Sequence, residues 1–271
     1  MARRPSNPMC PNCGFTLVEL LVVIVILSIL ASLALSGMVA ARARGRAART
    51  RATIRKIHEV IMPYYESYET RRPVVPAGVE SSGNRSLIAR VRTLAMNRLK
   101  TMELPDNSLD VTEVFVPSVA YQIPGRVEQL NEVSPVARRY KGLIASANNN
   151  VTSSELLYLI VMRGAAADQD VIGHFRPDEI ADTNGNGLQE FVDGWGNPIR
   201  FRRWPVGLVS PVQDGSSLLV PLIYSAGGDG EYGFDDSSAS YRSLAYVPIA
   251  AAAIVAGDPS KDNIDNHDMT K

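Results

Sequence analysis

One loop in the C-terminal half of this 271-residue chain has the oxygen-bearing side chains of a cation site. Hard cations such as Ca²⁺ take six to eight oxygen ligands, which closely spaced Asp, Asn and backbone carbonyl groups supply. The spacing is that of a twelve-residue calcium loop with Gly187 at its turn, although Gln189 replaces the usual hydrophobe. The candidate ligands are Asp182, Asn184, Asn186, Glu190 and Asp193. The alternative is a set of Asx and glycine turns without a metal.

One histidine is a candidate for catalysis. His174 lies in the sequence Gly-His-Phe-Arg-Pro, whereas His58 lies in an arginine-rich segment and His267 lies near the C-terminus. No nucleophile, zinc or phosphate-loop pattern accompanies His174. We therefore expect a solvated or capping histidine. A single-span membrane hydrolase that uses His174 is the alternative from a different functional class.

A carboxylate near the front of the most apolar segment needs a partner. Residues 15–35 contain only four polar residues, and Glu19 is the one acid among them. A charge at the centre of a bilayer costs at least about 2.5–3.5 kcal/mol, and such residues usually face a partner. No Lys or Arg lies between Phe15 and Ala41. The nearest available cation is a new α-amine, made by cutting the chain after Gly14 and supplied by a neighbouring subunit.

The segment that carries Glu19 is long enough to span a bilayer. About 20 apolar residues at a rise of about 1.5 Å each cross the hydrocarbon core, whereas the apolar region of a secretory signal has only about 7–15 residues. No proline follows Phe15 until Pro63, which we expect to break or kink the helix. The prediction is one helix over residues 15–63, transmembrane at residues 15–36.

Charge is divided unevenly along the chain, although the formal net charge is zero. Residues 15–72 hold nine basic and four acidic residues, whereas residues 73–271 hold 17 basic and 24 acidic residues. The absence of a net positive charge argues against a general nucleic-acid binder.

Cys10 and Cys13 are the two cysteines. They could form half of a zinc site but lack a second pair of ligands, and the rest of the chain folds without disulfides.

The region after the helix is predicted to be a linker followed by a variable insertion. It covers residues 64–150 and begins with a stretch rich in Pro, Gly and Ser. Apolar residues at helical spacing predict a helix near residues 86–100. The loop-like Asn148-Asn149-Asn150 marks the end of the region.

A C-terminal head is predicted over residues 151–257. Its first element opens with the capping-box pattern Thr152-Ser-Ser-Glu155 and is apolar on all sides, which indicates a buried helix. Strands are expected after Trp195, a core aromatic residue under a turn, and over residues 218–224. Residues 258–271 are polar, and we expect a mobile tail.

The N-terminal residues resemble a known processing signal. The sequence Gly-Phe-Thr-Leu-Val-Glu, residues 14–19, precedes an apolar run and is similar to the signal of type IV pilins and type II secretion pseudopilins. The resemblance implies that residues 1–14 are a leader, that prepilin peptidase cuts after Gly14, and that Phe15 becomes N-methylated. It also implies that Glu19 pairs with a neighbour's amine during assembly. An ordinary membrane anchor is the alternative.

The head resembles that of the major pseudopilin of type II secretion. The shared features are the order Asp193-Gly-Trp195-Gly-Asn-Pro, then a strand, then Tyr-Ser-Ala-Gly-Gly-Asp229-Gly. This resemblance implies a second calcium loop, in which Asp229 binds together with Asp235 or Asp236. Calcium could occupy either loop, both loops or neither.

These features predict an α+β protein, in which a long N-terminal transmembrane helix packs on a small antiparallel β-sheet head. The resemblance implies a structural pseudopilin subunit of a type II secretion-like filament, not an enzyme. A type IV pilin for adhesion, motility or DNA uptake is the close alternative. Expected partners are prepilin peptidase, copies of the chain, other pseudopilins and the inner-membrane assembly platform, with no nucleic acid. The expected location is the inner membrane, with a single span and the head in the periplasm.

Overall fold

The described part of the computed structural model comprises nine segments of the chain. They are residues 16–112, 120–123, 126–130, 133–145, 151–164, 171–204, 212, 220–232 and 262–268. The chain divides into two compact units, Met1–Arg44 and Gly45–Lys271. Within the described segments, helices and short antiparallel sheets make up the fold, so the predicted α+β class is confirmed.

The first helix, α1, runs from Leu17 to Ser67. Its large apolar side chains between Leu17 and Val39 are 43–80% exposed. By length and composition, this helix can cross a membrane. An exposed apolar surface of this extent is unfavourable in water, so the first half of α1 needs lipid or other apolar helices around it.

Pro63 lies inside α1 and does not end it, so of the predicted break or kink the break is wrong, and the helix extends beyond the predicted end at residue 63. A proline in a helix interior costs about 3 kcal/mol or more, because it removes a backbone hydrogen bond and crowds the preceding turn. Packing on both sides of the proline offsets this cost. Ile61 before it is fully buried and Tyr68 beyond it is 1% exposed, and both belong to the main core of the head.

Short helices and one strand pair follow α1 within the described residues. The helices are α2 (Ala77–Glu80), α3 (Arg85–Glu103), α4 (Ser108–Thr112) and α5 (Pro135–Ile144), and the strands are β1 (Ala120–Ile123) and β2 (Arg126–Gln129). The helix predicted near residues 86–100 is confirmed by α3. Leu104, Val111, Tyr140 and Ile144 are buried in the main core. The region predicted as linker and insertion therefore contributes to the packing of the head.

Helix α6 (Ser153–Arg163) forms as its sequence predicts. Thr152 and Glu155 make the reciprocal capping box, and Gly164 follows the last turn. A capping box satisfies two donors of the first helical turn. Eight of the eleven residues of α6 are buried, which confirms the expectation of a buried helix.

The strands of the C-terminal region are short and antiparallel. β3 (Ile180–Ala181) pairs with β4 (Glu190–Phe191), and a three-stranded sheet has the order β5 (Arg200–Arg202), β6 (Leu222–Ser225) and β7 (Ile264–Asp265). β5 and β6 correspond to the two strands predicted after Trp195 and near residues 218–224. Trp195 is half-buried against the main core, as its predicted position under a turn requires.

The expectation of a mobile polar tail is wrong for residues 262–268. Ile264 pairs with Ser225 of β6, and Asn266 and His267 are 5% and 1% exposed. This segment has a single large apolar residue, so hydrophobic patterning gives no signal of its burial. Backbone pairing and side-chain hydrogen bonds hold it in place instead.

The main core forms where the second half of α1 meets α6 and the strands. Fully burying a large apolar side chain contributes roughly 1.5–3 kcal/mol, so this cluster is the main source of stability in the head. Its fully buried members include Ile54, Ile57, Ile61, Leu156, Leu157, Ile160, Phe191, Ile199, Phe201 and Ile223.

Candidate functional site

Thr16 and Glu19 form a reciprocal cap at the N-terminal end of α1. The backbone N–H and the hydroxyl of Thr16 both donate to Glu19 Oε2, at 2.9 Å and 2.8 Å. The Glu19 N–H donates in turn to Thr16 Oγ1 at 3.2 Å. This arrangement is a capping box, and the Thr-x-x-Glu spacing is its signal in the sequence. Sequence reasoning assigned Glu19 an assembly role and missed this second one.

One oxygen of the Glu19 carboxylate is left available by the cap. Among the described residues, the donors to this carboxylate all reach Oε2, and the side chain is exposed. Oε1 can therefore accept a hydrogen bond from another molecule while the cap stays intact. A negative charge is also favourable here, because the N-terminal end of a helix carries partial positive charge.

The predicted cleavage and methylation sites, Gly14 and Phe15, lie outside the described residues, as do Cys10 and Cys13. The described residues begin at Thr16, the second residue after the expected cut. What it describes of this site is the Thr16–Glu19 cap and the exposed apolar surface that follows.

Asp193 anchors the turn that the sequence motif Asp-Gly-Trp-Gly-Asn forms. Its Oδ1 accepts the backbone N–H groups of Trp195 at 2.8 Å and Asn197 at 2.9 Å, and its Oδ2 accepts the hydroxyl of Ser225 at 2.6 Å. Ser225 is the last residue of β6. Asp193 is 3% exposed, so it connects the turn to the sheet from a buried position.

The same turn lies against the backbone of α1. The N–H of Gly194 donates to Thr50 Oγ1 at 2.9 Å, and the Thr50 hydroxyl donates to the carbonyl oxygen of Arg46 at 3.0 Å. A Cβ atom at residue 194 would overlap the backbone of Arg46. Glycine is therefore needed here because the two backbones approach closely. The Gly194 contact shows that this motif fixes the head to the second half of the helix.

A buried carboxylate provides a second connection between α1 and the head. Glu179 is 1% exposed. Its two carboxylate oxygens each accept a hydrogen bond from Lys56 Nζ at 2.9 Å, and Oε1 also accepts one from the hydroxyl of Thr53 at 2.9 Å. Burial raises the pKa of Glu179, but hydrogen bonds from the Arg176 N–H, Lys56 and Thr53 outweigh it and lower the pKa below its ordinary value. Sequence analysis missed this ion pair, whose partners lie 123 residues apart.

A third connection is centred on Glu103 at the end of α3, and sequence analysis missed this one as well. Its carboxylate accepts hydrogen bonds from the hydroxyls of Tyr64, Tyr68 at 2.7 Å and Ser134 at 2.7 Å, and from Arg71 Nη1 at 2.9 Å. These donors come from α1, from the residues after it and from the cap of α5. Glu103 therefore holds three parts of the head together.

The predicted calcium loop is closed by hydrogen bonds of its own. Asp182 accepts the N–H groups of Gly185 at 2.7 Å, Asn186 at 3.2 Å and Gly187 at 2.9 Å. Gly187 has a φ of +89°, which matches its predicted position at the turn. Asn186 donates its side-chain amide to Glu155 Oε1 of α6 at 2.7 Å. The loop thus has the turn that the spacing predicts, with a buried carboxylate of another element beside it.

The remaining predicted ligands of that loop have different surroundings. Asn184 also donates to Glu155 Oε1 at 2.7 Å. Glu190 is 1% exposed and accepts the hydroxyl and the N–H of Thr183. Burial, reinforced by the nearby Glu155 carboxylate, raises the pKa of Glu190. Asp193 accepts from Ser225 instead, and the side-chain amides of Asn184 and Asn186 both donate to Glu155.

The second predicted calcium loop is described only in part, because Asp235 and Asp236 lie outside the described residues. Asp229 is exposed and accepts the N–H of Glu231 at 2.8 Å. Asp262 Oδ2 accepts the N–H groups of Gly228 at 2.7 Å and Asp229 at 3.2 Å. Within the described residues, no group of three or more His, Cys, Asp or Glu side chains is arranged to hold a metal ion.

His174 is exposed at the end of a short 3-10 helix, Val171–His174. This position is that of the solvated histidine expected from the sequence. The neighbouring Phe175 is buried and packs on Phe191 with ring centroids 4.6 Å apart. The apolar side chain, and not the histidine, attaches this segment to the core.

Comparison with protein families gives a match at the N-terminal end of the chain. No curated protein and no solved structure is significantly similar to this chain. The matched region contains the Thr16–Glu19 cap and most of the exposed apolar part of α1, and the motif supports processing by prepilin peptidase. Residues 9–35 match the family model of the prokaryotic N-terminal methylation motif, the signature of type IV pilins and pseudopilins.

Proposed function

We propose that this protein is a structural subunit of a type II secretion-like filament, a pseudopilin that polymerises through the first half of α1. The observation that carries the proposal is the N-terminal motif on an exposed apolar helix whose capped Glu19 keeps one carboxylate oxygen available. In a filament, the apolar side chains of neighbouring helices would bury one another. The Glu19 Oε1 atom would accept a hydrogen bond from the α-amine of the next subunit. This ion pair would remove the cost of an unpaired Glu19 charge in the membrane.

Processing is the first step that the proposal requires. The full chain should be produced together with a prepilin peptidase, and the N-terminus of the membrane-bound product measured by mass spectrometry. We expect a chain that begins at Phe15 and carries one added methyl group. A Gly14→Val variant should keep its leader, because a branched side chain replaces the glycine before the cut. A wild-type product that begins at Met1 or near Ser36 would contradict the proposal.

The assignment to secretion rests on the head. The turn at Asp193 and the loop at Asp229 follow the order found in major pseudopilins, and both cysteines of the chain precede residue 14, so the head carries no disulfide. Deleting the gene in its host should reduce the secreted protein fraction and leave surface pili intact. Loss of pili with normal secretion would instead identify a type IV pilin. In both cases the head would lie in the periplasm before assembly.

We also propose that the head binds calcium. At the first loop, the support is the Asp182 turn and the carboxylate of Glu155, which accepts from Asn184 and Asn186. Glu155 therefore joins Glu190 as a candidate ligand, in place of Asp193, which accepts from Ser225. At the second loop, the support is the family resemblance of Asp229 with Asp235 or Asp236. Calcium would add a favourable charge next to carboxylates that are otherwise close to one another.

A further inference from the structure

One side-chain amide strengthens the attachment of the C-terminal segment 262–268 to the sheet. Asn266 Oδ1 accepts the backbone N–H of Ile223 at 2.7 Å, and Asn266 Nδ2 donates to the carbonyl oxygen of Pro221 at 2.9 Å. The N–H of Asn266 donates to Ile223 O at 3.1 Å. These three bonds extend the short pairing of β7 with β6.

The same bonds determine which atom of the amide faces α1. Asn266 Nδ2 lies 3.1 Å from His58 Nδ1. Because Oδ1 already accepts from Ile223, the group that faces the imidazole is the NH₂ donor, and His58 Nδ1 must accept. An imidazole nitrogen accepts only when it carries no proton. The contact therefore requires neutral His58 with its proton on Nε2.

His267 adds a second imidazole to this region. It is 1% exposed, and its Nε2 lies 3.3 Å from the carbonyl oxygen of Pro221. A carbonyl oxygen can only accept, so Nε2 carries the proton of this hydrogen bond. The pKa of His267 is lowered by burial, although the carboxylates of Asp265 and Asp268 act in the opposite direction.

The surroundings of His58 also disfavour its protonation, mainly through burial. Burial lowers the pKa of His58, and His267 on the C-terminal segment lowers it further. Glu59 and Glu66, on the same helix, raise it but do not outweigh burial. A second positive charge beside His267 would also have to enter a partly buried region, where charges are costly.

We propose that His58, Asn266 and His267 form a proton-sensitive latch that holds β7 on β6 at neutral pH and releases residues 262–268 in acid. Protonation gives His58 Nδ1 a hydrogen that points at the NH₂ group of Asn266, so the contact changes from attraction to repulsion. Release would leave one edge of β6 without its neighbour, and such an edge is available for pairing with another strand.

The direction of the pH dependence follows from the two histidines. Their pKa values are lowered in the folded head. Below about pH 6.5, the released state of the protein therefore binds more protons than the latched state. The stabilisation by the latch is therefore complete above about pH 6.5 and is lost as the pH falls through the lowered values.

Amide hydrogen exchange of the full chain in detergent tests the latch directly. The reporters are the N–H groups of Ile223 and Asn266, and those of Leu156–Met162 in α6 serve as internal control. Protection is compared at about pH 7.5 and about pH 5 after correction for intrinsic exchange. We expect the reporters to lose about tenfold or more in protection at the lower pH while α6 keeps its protection. Unchanged protection of the reporters would overturn the proposal.

Two variants separate His58 from the other histidines. His58→Gln keeps an acceptor for Asn266 but cannot be protonated, so most of the pH dependence should disappear. His174→Gln removes an exposed histidine and should behave like the wild type. A His58→Gln protein that loses as much protection as the wild type in acid would overturn the proposal. So would one whose reporters are already unprotected at neutral pH while α6 stays protected. If His58→Gln fails to fold, the pH dependence of protection in the wild type and in His267→Gln tests the latch instead. Unchanged protection of the wild-type reporters in acid still overturns the proposal.

Discussion

The N–H of Gly194 donates to the hydroxyl of Thr50, at 2.9 Å and across 144 residues of sequence. This bond joins the turn that Asp193 organises to the backbone of α1, and no side chain separates the two at residue 194. The motif that carries the resemblance to pseudopilin heads is therefore also one of the places where the head contacts its helix. Positions in this contact should be sensitive to the addition of a single methyl group.

Gly194→Ala should destabilise the head by about 2–4 kcal/mol, because the new Cβ atom overlaps the backbone of Arg46 and neither segment can move without breaking buried contacts. Gly142→Ala in α5 is the matched control, since no atom lies within 4 Å of its Cβ position. This control should be neutral or stabilising by up to about 1 kcal/mol. Thermal or urea unfolding of the full chain in detergent measures both. Equal stability of the two variants would contradict the proposed contact.

Two substitutions of Glu19 separate its charge from its capping role. Glu19→Gln keeps an oxygen that accepts from Thr16 but removes the charge, whereas Glu19→Ala removes both. Both variants should insert into the membrane, because each removes a charge from an apolar segment. Both should give low filament yields in a strain that assembles the wild type. A wild-type yield from Glu19→Gln would show that the cap, and not an ion pair with a neighbour, is what matters.

Glu179→Gln should cost about 2–4 kcal/mol at neutral pH, because Lys56 then lacks its charged partner. The lowered pKa of Glu179 also fixes the sign of its pH dependence. Its stabilisation is present above the ordinary carboxyl pKa and is lost as the pH falls through the lowered value. The variant should therefore lose less stability in acid than the wild type. Asp178→Asn, at a side chain 57% exposed, is the control and should cost at most about 1 kcal/mol.

Asp110→Asn should have the opposite pH dependence. Burial raises the pKa of Asp110 to about 7, and Asp106 adds to this while Arg203 opposes it. The folded head therefore keeps a proton that the unfolded chain releases, and stability falls as the pH rises from about 4 to about 7. An amide can still accept from Arg203 Nη1 and from the Asp106 N–H, which now bond the carboxylate at 3.0 Å and 3.2 Å. The variant should therefore melt higher than the wild type at pH 8, and parallel pH curves would exclude this role for Asp110.

Calcium should raise the melting temperature of the wild-type chain in detergent, with EDTA as the control. Any ligand that binds only the folded state stabilises it, by about 2.7 kcal/mol at a concentration of 100 times the Kd. Asp182→Ala and Asp229→Ala should each remove part of the calcium-dependent shift. Because Asp182 also accepts three backbone N–H groups, the shift and not the melting temperature itself is the quantity to compare. No shift in the wild type would exclude calcium binding.

Local signals in the sequence predicted the elements that depend on neighbouring residues. The Thr152–Glu155 capping box, the apolar surface of α6 and the turn at Trp195 all form as expected, because their geometry is set within a few residues. The helix past Pro63 was missed, since its stability depends on the packing of Ile61 and Tyr68 against distant parts of the chain.

Contacts between distant polar residues could not be predicted from one sequence. Glu103, Glu179 and Asn266 lie in no recognisable motif, and they have partners 31 to 208 residues away. Neither periodicity nor spacing encodes such pairs. They become visible only when the fold brings the two segments together. The same holds for Glu155, which faces the loop of Asp182 from another element.

The separation of these contacts has a consequence for the order in which the chain can fold. The buried residues of α1, such as Ile54 and Ile57, are made early, but Phe191 and Ile223 of their core are made more than 130 residues later. Contacts between such distant segments form slowly, since a long loop must close first. During synthesis, the second half of α1 therefore lacks part of its core until the residues around Phe191 and Ile223 have been made. We expect a nascent chain of this protein to bind a chaperone at that surface.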